Sequence, residues 1–217
     1  MALPMIHLIT AEKILHTHSA IIANPGDYYL GAIAPDAVHM RTPYDFDFKK
    51  ESHLRQHSTD MKNAGIILAF FEKNRTPVNS DFLFGYCVHI LTDKYWFEQN
   101  YQVFLERYAM DDTPLQTRQW AYYNDSDRLD FEMFMSCQNR EEIWSLLAKA
   151  KGIDVLDLVS ADEIDKWKER TLHWYDQGES KHKNPTRYLS VGELWNFTDQ
   201  AARVISTIFC LLWQIVA

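Results

Sequence analysis

Phe82-Leu-Phe-Gly-Tyr-Cys-Val-His89-Ile-Leu-Thr-Asp93-Lys-Tyr-Trp96 sets the architecture of this chain. The run is long, apolar and free of proline, so it predicts a buried helix. His89 and Asp93 are four residues apart and share one helix face, about 40° from each other around the axis. Burying an imidazole beside a carboxylate is costly unless something compensates them. A divalent cation does so, and both groups are good ligands for zinc. A plain His–Asp hydrogen bond inside a helical core is the alternative.

On either side the chain reads as helices joined by short polar breaks. Pro4 opens a first helix with an apolar stripe through His7, Leu8, Ala11, Ile14 and Leu15, and Asn24-Pro25-Gly26-Asp27 is expected to end it. The segment 28–40 is short and apolar, and 41–50 is expected to be a loop. A helix over 51–73 follows. Asn79-Ser80-Asp81 is expected to supply an N-cap for a long helix from about Phe82 to Tyr108. Thr113-Pro114 starts another helical stretch, expected to break near Tyr123-Asn124-Asp125-Ser126-Asp127. Ser160 with Glu163 and Ser190 with Glu193 fit capping boxes that open the last two helices. No strand-like alternation stands out, so the expectation is an all-α, single-domain bundle of six to eight helices over residues 1–217. Residues 1–110 would form a metal-binding helical core, and 111–217 a divergent helical part forming the pocket wall.

The chain has 217 residues and a formal charge of −8, which argues against a general nucleic-acid binder because phosphate neutralisation needs a basic patch. An acidic, metal-filled cleft for one phosphate ester is still compatible with that charge. Cys87, Cys137 and Cys210 are odd in number and far apart, and read as free thiols of a reducing compartment. The start, Met-Ala-Leu-Pro, has no basic region or signal-type apolar stretch, so a cytoplasmic protein is expected. The apolar run 204–217 is too short to span a bilayer. It reads as a buried terminal helix that closes the core, with a contact to a second copy in a homo-oligomer or to a membrane surface as the alternatives.

Seven of the nine histidines lie in the first 89 residues: His7, His16, His18, His39, His53, His57 and His89. Hydrolytic zinc sites need neutral imidazoles and carboxylates converging on the cation, with a position left for water. Four pieces of the chain, in order, supply such groups: Met-Ile-His7-Leu; Tyr-Tyr-Leu-Gly-Ala-Ile-Ala-Pro-Asp36; Ser-His53-Leu-Arg-Gln-His57; and Gly-Tyr-Cys-Val-His89-Ile-Leu-Thr-Asp93. Together they resemble the bacterial zinc-dependent phospholipase C family, which is distantly related to single-strand-specific zinc nucleases. The resemblance covers roughly residues 1–110.

It implies an all-α fold in which Asp36, His53, His89 and Asp93 form one metal site, with His7 binding a neighbouring metal that shares Asp93. Asp36, His89 and Asp93 would stand at the reaction centre. Secreted family members also use an N-terminal Trp amine and a late His-x-x-x-Glu pair as ligands. This chain begins with Met, and its late histidines are followed at that spacing by Gln177 (after His173) and Thr186 (after His182). One or two Zn2+ ions are therefore expected. Asp125, Asp127 and Asp130 could replace missing ligands or could be turn and cap residues. His57 could coordinate in place of His53. His39 could orient Asp36 or touch substrate. His173 could line a pocket or simply pack, and Arg41 could meet an anion or lie on the surface.

The function expected is metal-dependent hydrolysis of a small soluble phosphate ester, a phosphodiester first. The alternative is a non-catalytic helical binding protein with a structural metal site or none. No histidine is followed directly by Asp, which argues against the all-α phosphohydrolases defined by a His-Asp doublet.

Overall fold

The computed structural model describes residues 3–54, 61, 64–111, 114–178 and 184–216, apart from the side chains of 115 and 211–216. Among these residues there are ten α-helices and no strand, as an all-α chain should have. They are α1 (Pro4–His18), α2 (Pro25–Gly31), α3 (Phe46–Ser52), α4 (Ala64–Asn74), α5 (Ser80–Trp96), α6 (Gln102–Ala109), α7 (Arg118–Ser136), α8 (Arg140–Lys149), α9 (Ala161–Leu172) and α10 (Val191–Val216). That exceeds the six to eight expected, because short helices occupy stretches that read as loops.

α5 is the axis of the core. Every residue from Phe82 to Lys94 is buried, so the helix is covered on all sides and has almost no amphipathic face. α2 crosses it backbone to backbone. A Cβ placed on Gly31 would lie 2.0 Å from the Phe82 carbonyl oxygen, and one on Gly85 would lie 2.0 Å from that of Tyr28. Only glycine at both positions permits this approach. α1 packs on α5, α7 and α10, and α9 packs on a 3-10 helix at Ala34–Met40.

Several local expectations are corrected. Asn24-Pro25 opens α2 rather than closing α1, because Pro25 lacks an N–H that the first helical turn would leave unused anyway. Part of 41–50 is helical: the Asp45 carboxylate accepts from the Asp47 N–H and caps α3. The helix expected over 51–73 is instead the end of α3 and, later, α4; Leu54 sits at φ 51, a left-handed conformation that stops α3. Asn79 makes no side-chain cap to α5, and its oxygen accepts from the Thr76 N–H behind it. The α5 axis continues through a π-turn at Phe97–Tyr101 into α6. α7 runs unbroken through Tyr123–Asp127, because Asp125 is buried and accepts from the backbone N–H groups of Arg187, Tyr188 and Leu189. Both capping boxes are present at Ser160 and Ser190. No helix of the described residues is long and apolar enough to cross a membrane.

Candidate metal centre

Five buried ionisable side chains from four segments converge in the core. α1 supplies His7, the 3-10 helix Asp36, the end of α3 His53, and α5 both His89 and Asp93. All five are buried, Asp36 being the most exposed at 6%. His53 Nε2 lies 3.3 Å from Asp36 Oδ1, 3.5 Å from Asp93 Oδ2 and 3.3 Å from His89 Nε2. His89 Nε2 is 3.9 Å from Asp36 Oδ2. His7 stacks on His89 with ring centroids 3.7 Å apart, and its Nε2 is 3.7 Å from Asp93 Oδ1. Two groups place their ligand atoms within 4.8 Å of one another: His7, Asp36 and His89; and His53, His89 and Asp93.

The hydrogen bonds fix which nitrogens face inward. His89 Nδ1 lies 2.8 Å from the Ala32 carbonyl oxygen, which can only accept, so Nδ1 carries the proton. The Ser52 hydroxyl lies 3.2 Å from the Lys49 carbonyl oxygen and 2.9 Å from His53 Nδ1; in the tautomer with Nδ1 protonated it donates to the carbonyl and accepts from the ring, which leaves the His53 Nε2 lone pair facing the cluster. Tyr86 from α5 donates to the Ser52 carbonyl at 2.6 Å and anchors this turn. In that tautomer two neutral rings aim Nε2 lone pairs at each other, the arrangement a shared cation needs. Burial pushes the His53 and His89 pKa values down to about 4 and that of His7 to about 3, which keeps all three in the neutral, ligand form.

The 3.3 Å between the two Nε2 atoms is also the spacing of two imidazole ligands on one cation. Nitrogens about 2.05 Å from a tetrahedral zinc stand about 3.3–3.4 Å apart. His7 gives a second indication. Both of its ring nitrogens are buried without a hydrogen-bond partner, an arrangement a protein core rarely tolerates. The buried imidazoles and carboxylates offer a donor set that could hold a metal ion.

Lys49, absent from the sequence reading, completes the cluster. Its Nζ, in a residue 4% exposed, donates to Asp36 Oδ1 at 2.7 Å and lies 3.4 Å from His39 Nε2. Burial opposes ionisation of Asp36, but the Lys49 ammonium beside it outweighs this and holds the carboxyl well below its usual range. The Asp45 N-cap was the one local sign that Lys49 lies on a helix.

The other candidates divide. His39 lies 3.9 Å from Asp36 Oδ1 and stacks on Tyr44, so it borders the cluster as a neighbour of the carboxylate. His57 and His182 lie outside the described residues. His16 is exposed and His18 half-buried, both at the end of α1. His173 is exposed and pairs with Asp176 at 2.8 Å, away from the cluster. Arg41 is bound by Glu163 through two contacts of 2.6 and 3.2 Å and by the Leu158 carbonyl. Asp125 holds backbone, and Asp130 accepts from the Met5 N–H at 2.9 Å and from the Tyr175 hydroxyl, so neither joins the cluster. Asp127 lines a neighbouring cleft with Trp120, Trp167 and Trp174.

Two clefts reach the cluster. One, of about 570 Å³, includes His39, Tyr44, Lys49, Tyr101, Arg118 and Tyr122 in its wall. The other, of about 450 Å³, reaches Asp36 itself and shares His39 and Tyr123 with the first. No family model, curated protein or solved structure matches this chain.

Proposed function

We propose that the protein is a metal-dependent hydrolase of phosphate esters, with Asp36, His53, His89 and Asp93 holding a divalent cation, zinc by preference. The observation that carries this reading is the convergence of His53 and His89 Nε2, 3.3 Å apart and buried between two carboxylates. His7 is in reach of the same cation, or of a second that shares Asp93. A bound cation would acidify a coordinated water and polarise a phosphoryl oxygen. This chain's part is to fix the imidazoles through Ala32 and Ser52, and to bring the exposed edge of Asp36 to the floor of a cleft. The order of ligand-bearing segments, similar to that of the zinc-dependent phospholipase C family, supports a phosphodiester as first choice. Free cysteines support a reducing, cytoplasmic setting.

One observation favours a second reading. Four buried side chains could close a tetrahedron and make the metal purely structural. Metal analysis of protein purified without added zinc, X-ray absorption to count ligands, and a panel of chromogenic phosphate mono- and diesters with and without chelator separate the two. The hydrolase requires one or two ions, an oxygen ligand from solvent, and chelator-sensitive turnover. A closed site with no turnover on any ester would leave the structural role standing.

A further inference from the structure

We propose that Lys49 is the residue that selects a negatively charged phosphate ester, by taking a nonbridging oxygen of the substrate beside the metal. This rests on the hydrolase reading above. Lys49 is buried, yet it forms part of the wall of the 570 Å³ cleft. Its ammonium sits 2.7 Å from Asp36, which lines the adjoining 450 Å³ cleft, and the two clefts share His39 and Tyr123. It thus stands between a metal ligand and the space a substrate would fill.

Charge makes this position useful. With neutral imidazoles, Asp36 and Asp93 carry two negative charges and Lys49 one positive. The cluster is net −1 as it stands and net +1 once a divalent cation is bound. A carboxylate that ligates a cation gives up part of its charge to it, so its hold on Lys49 weakens when the site is loaded. An ammonium in a low-dielectric wall then has strong reason to take an anionic oxygen. Arg118 lies on the same cleft and adds a second positive charge at its rim, while Tyr44, Tyr101 and Tyr122 offer flat apolar faces to the organic arm. His39, 3.4 Å from the ammonium, limits where Lys49 can swing. The preferred substrate class is therefore an anionic phosphate ester carrying a ring or similarly flat group.

The test compares wild type with Lys49→Met, Lys49→Gln and Lys49→Arg as zinc-loaded proteins. Activity is read on anionic bis(4-nitrophenyl) phosphate and on neutral dimethyl 4-nitrophenyl phosphate. Binding of inorganic phosphate is read by calorimetry, and zinc content by elemental analysis. Removing the charge should lower kcat/KM on the anionic diester about 100-fold, within the range for loss of one charge-stabilising donor. The neutral triester should change less than about threefold, phosphate affinity should fall at least about tenfold, and zinc content should hold. Lys49→Arg should recover most of the loss. Equal losses on both esters, or lost zinc, would mean that Lys49 only positions Asp36, and would overturn the proposal. If wild type turned over no ester, the hydrolase reading would fail, and phosphate binding alone would decide Lys49: unchanged affinity in the Met and Gln variants overturns it.

Discussion

His89 is held by its Nδ1–H bond to the Ala32 carbonyl and by the ring of His7 stacked on it. Replacing it with Ala removes a ligand and leaves Asp93, 2% exposed, without its helical neighbour. It also takes the donor from the buried Ala32 carbonyl, and a buried group that loses its hydrogen-bond partner costs about 1–3 kcal/mol. His89→Ala should therefore lose its metal and drop its urea midpoint sharply, whereas exposed His173→Ala should change neither. His7 separates packing from coordination. Its two unpartnered nitrogens cost the metal-free fold about 1–3 kcal/mol. His7→Phe should raise the stability of chelated protein by a comparable amount while lowering metal affinity or stoichiometry. A variant that is stabilised but keeps full metal content would show His7 to be ordinary core.

At the scale of elements, the site depends on how closely α2 approaches α5. Glycine in a helix interior is normally worth about 1 kcal/mol less than alanine, so Gly→Ala in an open helix should stabilise. Gly192, in the first turn of α10 with nothing within 4 Å of an added Cβ, should behave so. Gly31 and Gly85 should do the reverse. Their added methyls would meet backbone carbonyls at 2.0 Å, and backbone cannot turn aside as a side chain can. Gly31→Ala and Gly85→Ala should each destabilise by about 3 kcal/mol or more. Pushing α2 away also moves Ala32 from His89, so metal affinity should fall in both. Thermal melts of the three variants, with and without zinc, check the sign of each.

This helix pair also marks what a sequence can disclose. α5 was legible because its apolar run is unbroken and the His89–Asp93 spacing is intrinsic to a helix. The two capping boxes were legible because their partners are three residues apart. α3 and the unbroken α7 were not, because their polar residues are buried by distant chain: Lys49 by the 3-10 helix, and Asp125 by backbone 187–189. Composition alone reads such residues as loop. Likewise, His7, Asp36 and His53 could be named as candidates, but only the packing of four segments brings them within ligand distance of α5.

For the whole molecule, buried carboxyls couple stability to pH. Asp130 joins α7 to both ends of the chain's packing: it accepts from the Met5 N–H at the start of α1 and from Tyr175 after α9. Burial raises its pKa to about 7, against 3.8 ordinarily, with the hydrogen bonds from Tyr175 and Met5 pulling the other way. A raised carboxyl pKa means that the folded state holds the proton where the unfolded state has released it. The stability it contributes is complete below pH about 4, declines as pH rises towards 7, and is flat above. Buried His7, His53 and His89 act with the opposite sign, since the unfolded chain gains protons below pH about 6.5 that the fold refuses down to about 3–4. Neither curve alone isolates Asp130, but their difference does. Asn keeps an oxygen for Met5 and can meet the Tyr175 hydroxyl as a donor, without titrating. Relative to wild type, Asp130→Asn should thus gain stability steadily from pH 4 to 7, by an amount on the order of a few kcal/mol, and no further above that. Chelated samples in urea at pH 4.5, 6 and 7.5 measure it; parallel curves would mean that Asp130 stays ionised in the fold, its charge carried by Tyr175 and the Met5 amide.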